Sequence, residues 1–151
     1  MTRALRTFAT VGAAAALVAG CSSSETKNEY VDTVNEIQTS ALEAFNQATA
    51  ATPESQKELV DQLEAGEEAL ADAVTRLEEV EVPDEAETDH PALIAGIDEL
   101  RELFAETATK AKKGSAGDTL DAVTRLSTDG TKIGTRIDDA ISRINEALGA
   151  A

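Results

Sequence analysis

Residues 53–83 read PESQKELVDQLEAGEEALADAVTRLEEVEVP. Leu59, Leu63, Gly66, Leu70, Val74, Leu77 and Val80 recur at intervals of three and four. That spacing gathers side chains on one face of a helix with about 3.6 residues per turn. Asp, Glu, Gln and Arg occupy most of the positions between them, and Ala several of the rest. Thr52 is placed to cap the start, and Pro53 to occupy the first helical position, where a missing N–H costs nothing. Pro83 ends the run, so the expected helix spans Pro53 to about Val82.

Three further segments repeat the pattern. One runs from about Asn28 to Ala50 with the stripe Tyr30, Val34, Ile37, Ala41, Phe45 and Ala48. Thr26 and Glu29 stand before it as a capping box, each side chain satisfying a free backbone N–H. Another runs from Pro91 to about Lys113 with Leu93, Ile97, Leu100, Phe104, Ala108 and Ala111. Lys110, Lys112 and Lys113 complement its negative dipole end, and Gly114 is the stop. The last runs from near Asp118 to about Leu148 with Leu120, Val123, Leu126, Ile133, Ile137, Ile141, Ile144 and Leu148.

One amphipathic helix is marginal in water, so four stripes must be buried against each other. The links around residues 51–52 and 114–117 are short, which makes successive helices antiparallel neighbours. The expected fold is all-α, an antiparallel up-down-up-down four-helix bundle. The competing arrangement is a two-helix coiled-coil hairpin that dimerises; the breaks at Pro53 and Pro91 favour four helices. The core is mainly Leu, Ile, Val and Ala, so it is expected to be narrow, with little room for a large ligand.

The first twenty residues are of another kind. Arg3 and Arg6 precede an uncharged, mostly apolar stretch from Phe8 to Ala19. Basic, then apolar, then small residues is the order of a secretory signal. The apolar run is shorter than the roughly 20 residues a membrane-spanning helix needs. Val18-Ala19-Gly20-Cys21 resembles a lipobox, the recognition site of bacterial lipoproteins, and Cys21 is the only cysteine. The resemblance implies a diacylglycerol thioether on Cys21, cleavage before it, and a protein held by covalent lipid on the extracytoplasmic face of the cell membrane. Two acyl chains suit that task, since one chain alone binds a membrane only marginally. With its Ala/Glu-rich helices, the chain resembles small helical lipoproteins of high-GC Gram-positive (actinobacterial) bacteria. The expected division is a signal peptide at 1–20, lipidated cysteine and short tether at 21–27, and the bundle at 28–151.

Charge narrows the partners. Residues 1–20 hold two arginines and no acids, leaving 29 acids against 11 bases, a net charge of −18. Nucleic acid, whose phosphates call for Lys/Arg patches, is not expected as a partner. Nor is the body expected to lie on anionic lipid, because basic clusters supply that attraction. Without a second cysteine there is no intramolecular disulfide and no thiolate metal site.

The densest chemistry lies between Glu78 and His90, where seven acids precede the only histidine. Clustered carboxylates suit a hard cation such as Ca²⁺. The spacing is not that of an EF-hand, and one histidine does not build a multi-histidine transition-metal site. A solvated acidic loop is the preferred reading; a metal would have to use Glu81, Asp84, Glu85, Asp89 and His90. His90 is expected to belong to a helix start rather than to act as a base, since a catalytic histidine wants a positioned partner. Met/His-ligated haem would need a methionine other than Met1, and a di-iron bundle would need two Glu-x-x-His motifs. Nucleophile and phosphate-loop motifs are missing as well. Neither an enzyme nor a cofactor is expected.

Ser127 to Thr135 breaks the fourth stripe with Gly130 and Gly134. Glycine costs about 1 kcal/mol in a helix relative to alanine, so a reason is expected. Close helix approach, with Gly66 as the facing residue, is preferred over a small groove for a peptide or ligand. The functional expectation is a non-enzymatic module of the cell envelope that binds another envelope protein. The alternatives are cation binding by the acidic loop and carriage of a small apolar ligand.

Overall fold

The four stripes become four helices: α1 (Ser22–Ala50), α2 (Gln56–Glu79), α3 (His90–Lys113) and α4 (Ala116–Leu148). They come from a computed structural model that describes residues 22–50 and 53–149. The expected signal peptide at 1–20, Cys21 and the expected cap Thr52 lie outside the described residues. Among those residues there is no strand.

The helices close a ring, with α1 packed on α2 and α4, and α3 on α2 and α4. Cross-contacts fix their directions. Glu36 meets Arg76 and Lys27 meets Glu85, so α1 and α2 run oppositely. Lys112 meets Glu64 while His90 meets Leu77, which sets α3 against α2. Arg125 meets Glu106 and Arg136 meets Glu99, which sets α4 against α3. The fold is therefore the expected antiparallel four-helix bundle.

Helix boundaries follow whichever cap binds the free N–H groups best. α1 begins at Ser22, not near Asn28, so Ser22–Lys27 is helix rather than tether, and Thr26 and Glu29 lie inside it. α2 begins at Gln56 because Ser55, in extended backbone, accepts the Glu58 N–H at 3.1 Å. The Glu58 carboxylate accepts the Glu54 N–H at 2.8 Å in return. With Ser55 as the cap, Pro53 and Glu54 fall outside the helix. α4 opens on a full capping box between Ser115 and Asp118.

The core keeps most of each stripe and shifts its edges. Tyr30, Leu63, Leu70, Leu77, Ile97, Phe104 and Leu126 are fully buried. Phe45, Val74, Val80, Val123 and Leu148 are only partly buried, while Ala44, Val60, Leu103 and Ala140 join the core. Leu120, expected inside, is 67% exposed. It lies one turn after the start of α4, off the buried face of that helix. The glycines also pair differently from the expectation. Gly66 lies against Phe104 of α3, Gly96 against Ile137, and Gly130 against Phe45 of α1. Nothing lies within 4 Å of where a Cβ on Gly134 would be.

Candidate functional site

The acidic segment folds into a turn that ties helices together. Ala86 is buried at its centre, and the Ala86 N–H donates to the Pro83 carbonyl at 2.8 Å. The next ring in the chain, His90, enters the core. Its Nε2–H donates to the Leu77 carbonyl at 3.0 Å, and its Nδ1 accepts from the Tyr30 hydroxyl at 2.9 Å. This assigns the tautomer, because a backbone carbonyl only accepts and so requires the proton on Nε2. The Leu77 carbonyl is one of the last in α2 and has no partner within its own helix. One histidine thus joins α1, the end of α2 and the start of α3.

Burial pushes the His90 imidazole below its ordinary value, against the opposing effect of the Leu77 carbonyl. Burial, then the negative charge of Asp89, pushes the Tyr30 phenol up to about 12. Both rings are neutral at neutral pH, and both His90 nitrogens are engaged. That leaves no lone pair for a metal.

The other candidate ligands are dispersed. Lys27 takes Glu85 at 2.6 Å and holds its carboxyl below the ordinary range. Arg143 takes Asp89 at 2.6 Å, which ties α4 to the same turn. Glu81 and Asp84 point into solvent. Among the described residues, no three of His, Cys, Asp and Glu gather as a metal site would require. Of the residues singled out for chemistry, Glu85, Asp89 and His90 serve as cross-links.

A different site lies between α1 and α4, the thinnest of the four seams. A groove of about 390 Å³ opens there. Phe45, Leu100 and Ile137 line it below, and Leu42, Gly134 and Thr131 flank it. The Phe45 ring rests where only a glycine fits: a Cβ on Gly130 would stand 2.4 Å from its Cε2. Gly134 then leaves the neighbouring space empty. Gln38 closes one end by donating to the Asp138 carboxylate at 3.2 Å. Leu42 projects beside the opening and is 59% exposed.

Helical periodicity extends this surface in both directions. On α1 the positions sharing the face of Leu42 are Asn28, Val31, Asn35 and Asn46. On α4 those sharing the face of Gly134 are Leu120, Ser127, Thr131, Asp138 and Asn145. Asp138 is the one charged residue among them, in a chain that is 28% charged. The remaining charges of α4 lie on its outer side and toward α3.

The threonines make the strip less polar than it looks. Thr39 donates to the Asn35 carbonyl at 2.9 Å, Thr124 to Leu120 at 2.8 Å, Thr131 to Ser127 at 2.7 Å and Thr135 to Thr131 at 3.1 Å. Each hydroxyl proton is thereby satisfied by its own helix. The groove itself is thereby walled mainly by methyl and methylene groups.

Sequence reasoning noticed the glycine-rich stretch but paired it with α2. The missed signal was the scarcity of charge along one face of two separate helices, where Asp138 is the one charged residue. No protein-family model matches the chain, and no curated protein or solved structure matches it either.

Proposed function

We propose that this chain is a lipid-anchored extracytoplasmic protein of the cell envelope, without catalytic activity, whose bundle binds another envelope protein along the α1–α4 seam. The observation that carries the binding reading is the mainly apolar groove, with Asp138 its one charged residue and Leu42 exposed at its edge. Binding sites are commonly concave and mostly apolar, with a few polar groups. Support for the anchor is the run Val18-Ala19-Gly20-Cys21 behind a basic and apolar leader. Support for a non-catalytic role is that the only histidine is buried, neutral and held at both nitrogens.

Two measurements test the two halves separately. Metabolic labelling with an alkynyl fatty acid reads the anchor: Cys21→Ala should abolish the label, and an unchanged label would refute lipidation. A photo-crosslinking amino acid at position 42 reads the surface in intact membranes. Adducts are expected from position 42 and not from exposed position 72 on α2. Equal yields at both, or none at either, would overturn the assignment of the binding face.

A further inference from the structure

We propose that the Tyr30–His90 hydrogen bond is a proton-operated latch: a proton on His90 frees the first turns of α1 from the bundle and leaves α2 and α3 joined. The latch stands apart from the binding face and does not depend on the lipid anchor, which only gives it a consequence. The start of α1 has little else to hold it. Between Ser24 and Thr33, Tyr30 is the one buried residue. It is fully buried, and its ring centroid lies 5.6 Å from that of His90. The other side-chain tie from this stretch to the rest of the bundle is Lys27–Glu85, an ion pair with both partners partly in solvent. Such pairs contribute little. From Val34 onward the helix is held differently, because Val34, Ile37, Ala41, Ala44 and Ala48 are buried in succession and Glu36 meets Arg76. Release therefore stops near Val34.

The chemistry is directional. His90 Nε2 already carries a hydrogen, donated to the Leu77 carbonyl, so an added proton goes to Nδ1. There it takes the lone pair that accepts from the Tyr30 hydroxyl. Two donors then face each other, and the contact turns unfavourable unless the buried hydroxyl proton is redirected. The Nε2 bond gains instead, since it becomes charge-assisted and its carbonyl lies at the negative end of the α2 dipole. The groups at this end of the bundle are Tyr30 and Lys27 from α1, the Leu77 carbonyl from α2, Glu85 and Asp89 from the turn, and Arg143 from α4. The four charged ones form two ion pairs of no net charge. Lys27 holds the Glu85 carboxyl below its ordinary range, so in mild acid the histidine changes charge and this pair does not. Burial holds the latched imidazole below its ordinary value. Lifting α1 uncovers the Nδ1 edge, so the open form takes up the proton more readily. Below about pH 6.5 the opening constant rises by up to about tenfold per pH unit, until the latched ring itself titrates. On a lipid-anchored chain, the freed turns would become a tether, and acid would loosen the bundle from a stiff connection to its anchor.

Hydrogen exchange of the purified mature chain, read by mass spectrometry at about pH 7.5 and about pH 5 and corrected for intrinsic rates, tests the latch. Protection over residues 24–33 should fall at least fivefold in acid, while residues 59–77 and 93–108 keep theirs. His90→Gln, neutral at both pH values and able to donate and accept, should remove the difference. The chain has one histidine, so imidazole nitrogen NMR on the unaltered protein gives a second reading that does not depend on the variant folding. Its titration midpoint should coincide with the midpoint of the α1 opening. Loss of protection spread evenly over all four helices, or none at all, would overturn the latch. So would an α1 opening that persists in a folded His90→Gln variant, because the carboxylates would then be responsible. Midpoints more than about one pH unit apart would do the same.

Discussion

Tyr30 is the chain's single tyrosine and there is no tryptophan, so its ionisation can be read without interference. The perturbation is alkaline pH. Unfolded, the phenol titrates near its ordinary value of 10.0; folded, it titrates at about 12, first because it is buried and then because Asp89 is near. Between those values the folded chain holds a proton that the unfolded chain releases. Stability therefore falls as pH rises through this window. At roughly 1.4 kcal/mol per pH unit over most of this window, the integrated loss amounts to about 2 kcal/mol by pH 12. That is a sizeable part of the roughly 5–15 kcal/mol that holds a typical domain together.

Absorbance at 295 nm should stay flat through pH 10 and rise only together with loss of helical circular dichroism. Tyr30→Phe removes this alkaline transition. It also costs about 1–3 kcal/mol at neutral pH in urea unfolding, because the buried His90 Nδ1 loses its donor. A simple titration centred on pH 10 in a chain that remains helical would refute the buried Tyr30–His90 pair.

His90 gives the opposite slope on the acid side. Its folded value lies below that of the unfolded chain, so its contribution is present above about pH 6.5 and is lost as pH falls toward the folded value; a ring that titrates freely near 6.5 by NMR would contradict this. Gly66→Ala places a Cβ 2.3 Å from the fully buried Phe104 ring and should destabilise by roughly 1–3 kcal/mol before a propensity gain of about 1 kcal/mol. Gly134→Ala meets no obstacle and should stabilise by about 1 kcal/mol, and thermal melts that rank the two variants the other way would overturn the glycine assignments. Millimolar Ca²⁺ should leave the melting temperature unchanged, since Glu85, Asp89 and His90 are occupied by Lys27, Arg143, Tyr30 and Leu77; an upward shift of several degrees would restore a cation site.

The four helices are legible because a three- and four-residue apolar rhythm has one structural meaning over twenty or more residues. Their starts are less so. Ser55 and Pro53 both signal a beginning, and only the position of Glu58 relative to each decides between them. Which helix faces which glycine is not written locally at all. Gly130 finds Phe45 rather than Gly66 because the register of α1 against α4 emerges from the whole ring. Leu120 illustrates the same limit: its spacing fits the stripe, yet it lies at the edge of the α4 face. His90 was legible as a residue at a helix start, and its chemistry was not. Its partners Tyr30 and Leu77 stand 60 and 13 residues away.

The acidic turn also decides how the bundle meets mechanical load. Lys27–Glu85, Tyr30–His90 and Arg143–Asp89 all lie at the end where α1 begins. A pull transmitted through the residues before Ser22 reaches these ties within two turns of helix. Tension is shared at once among the start of α1, the end of α2, the start of α3 and the last turns of α4. Among the described residues, the far end is tied by Gln56 to the Ala111 carbonyl, Lys112 to Glu64 and Arg125 to Glu106, none of which reaches α1. Rupture under a force applied there would peel the helices apart one at a time, while the same force at Ser22 must break the cross-linked knot first.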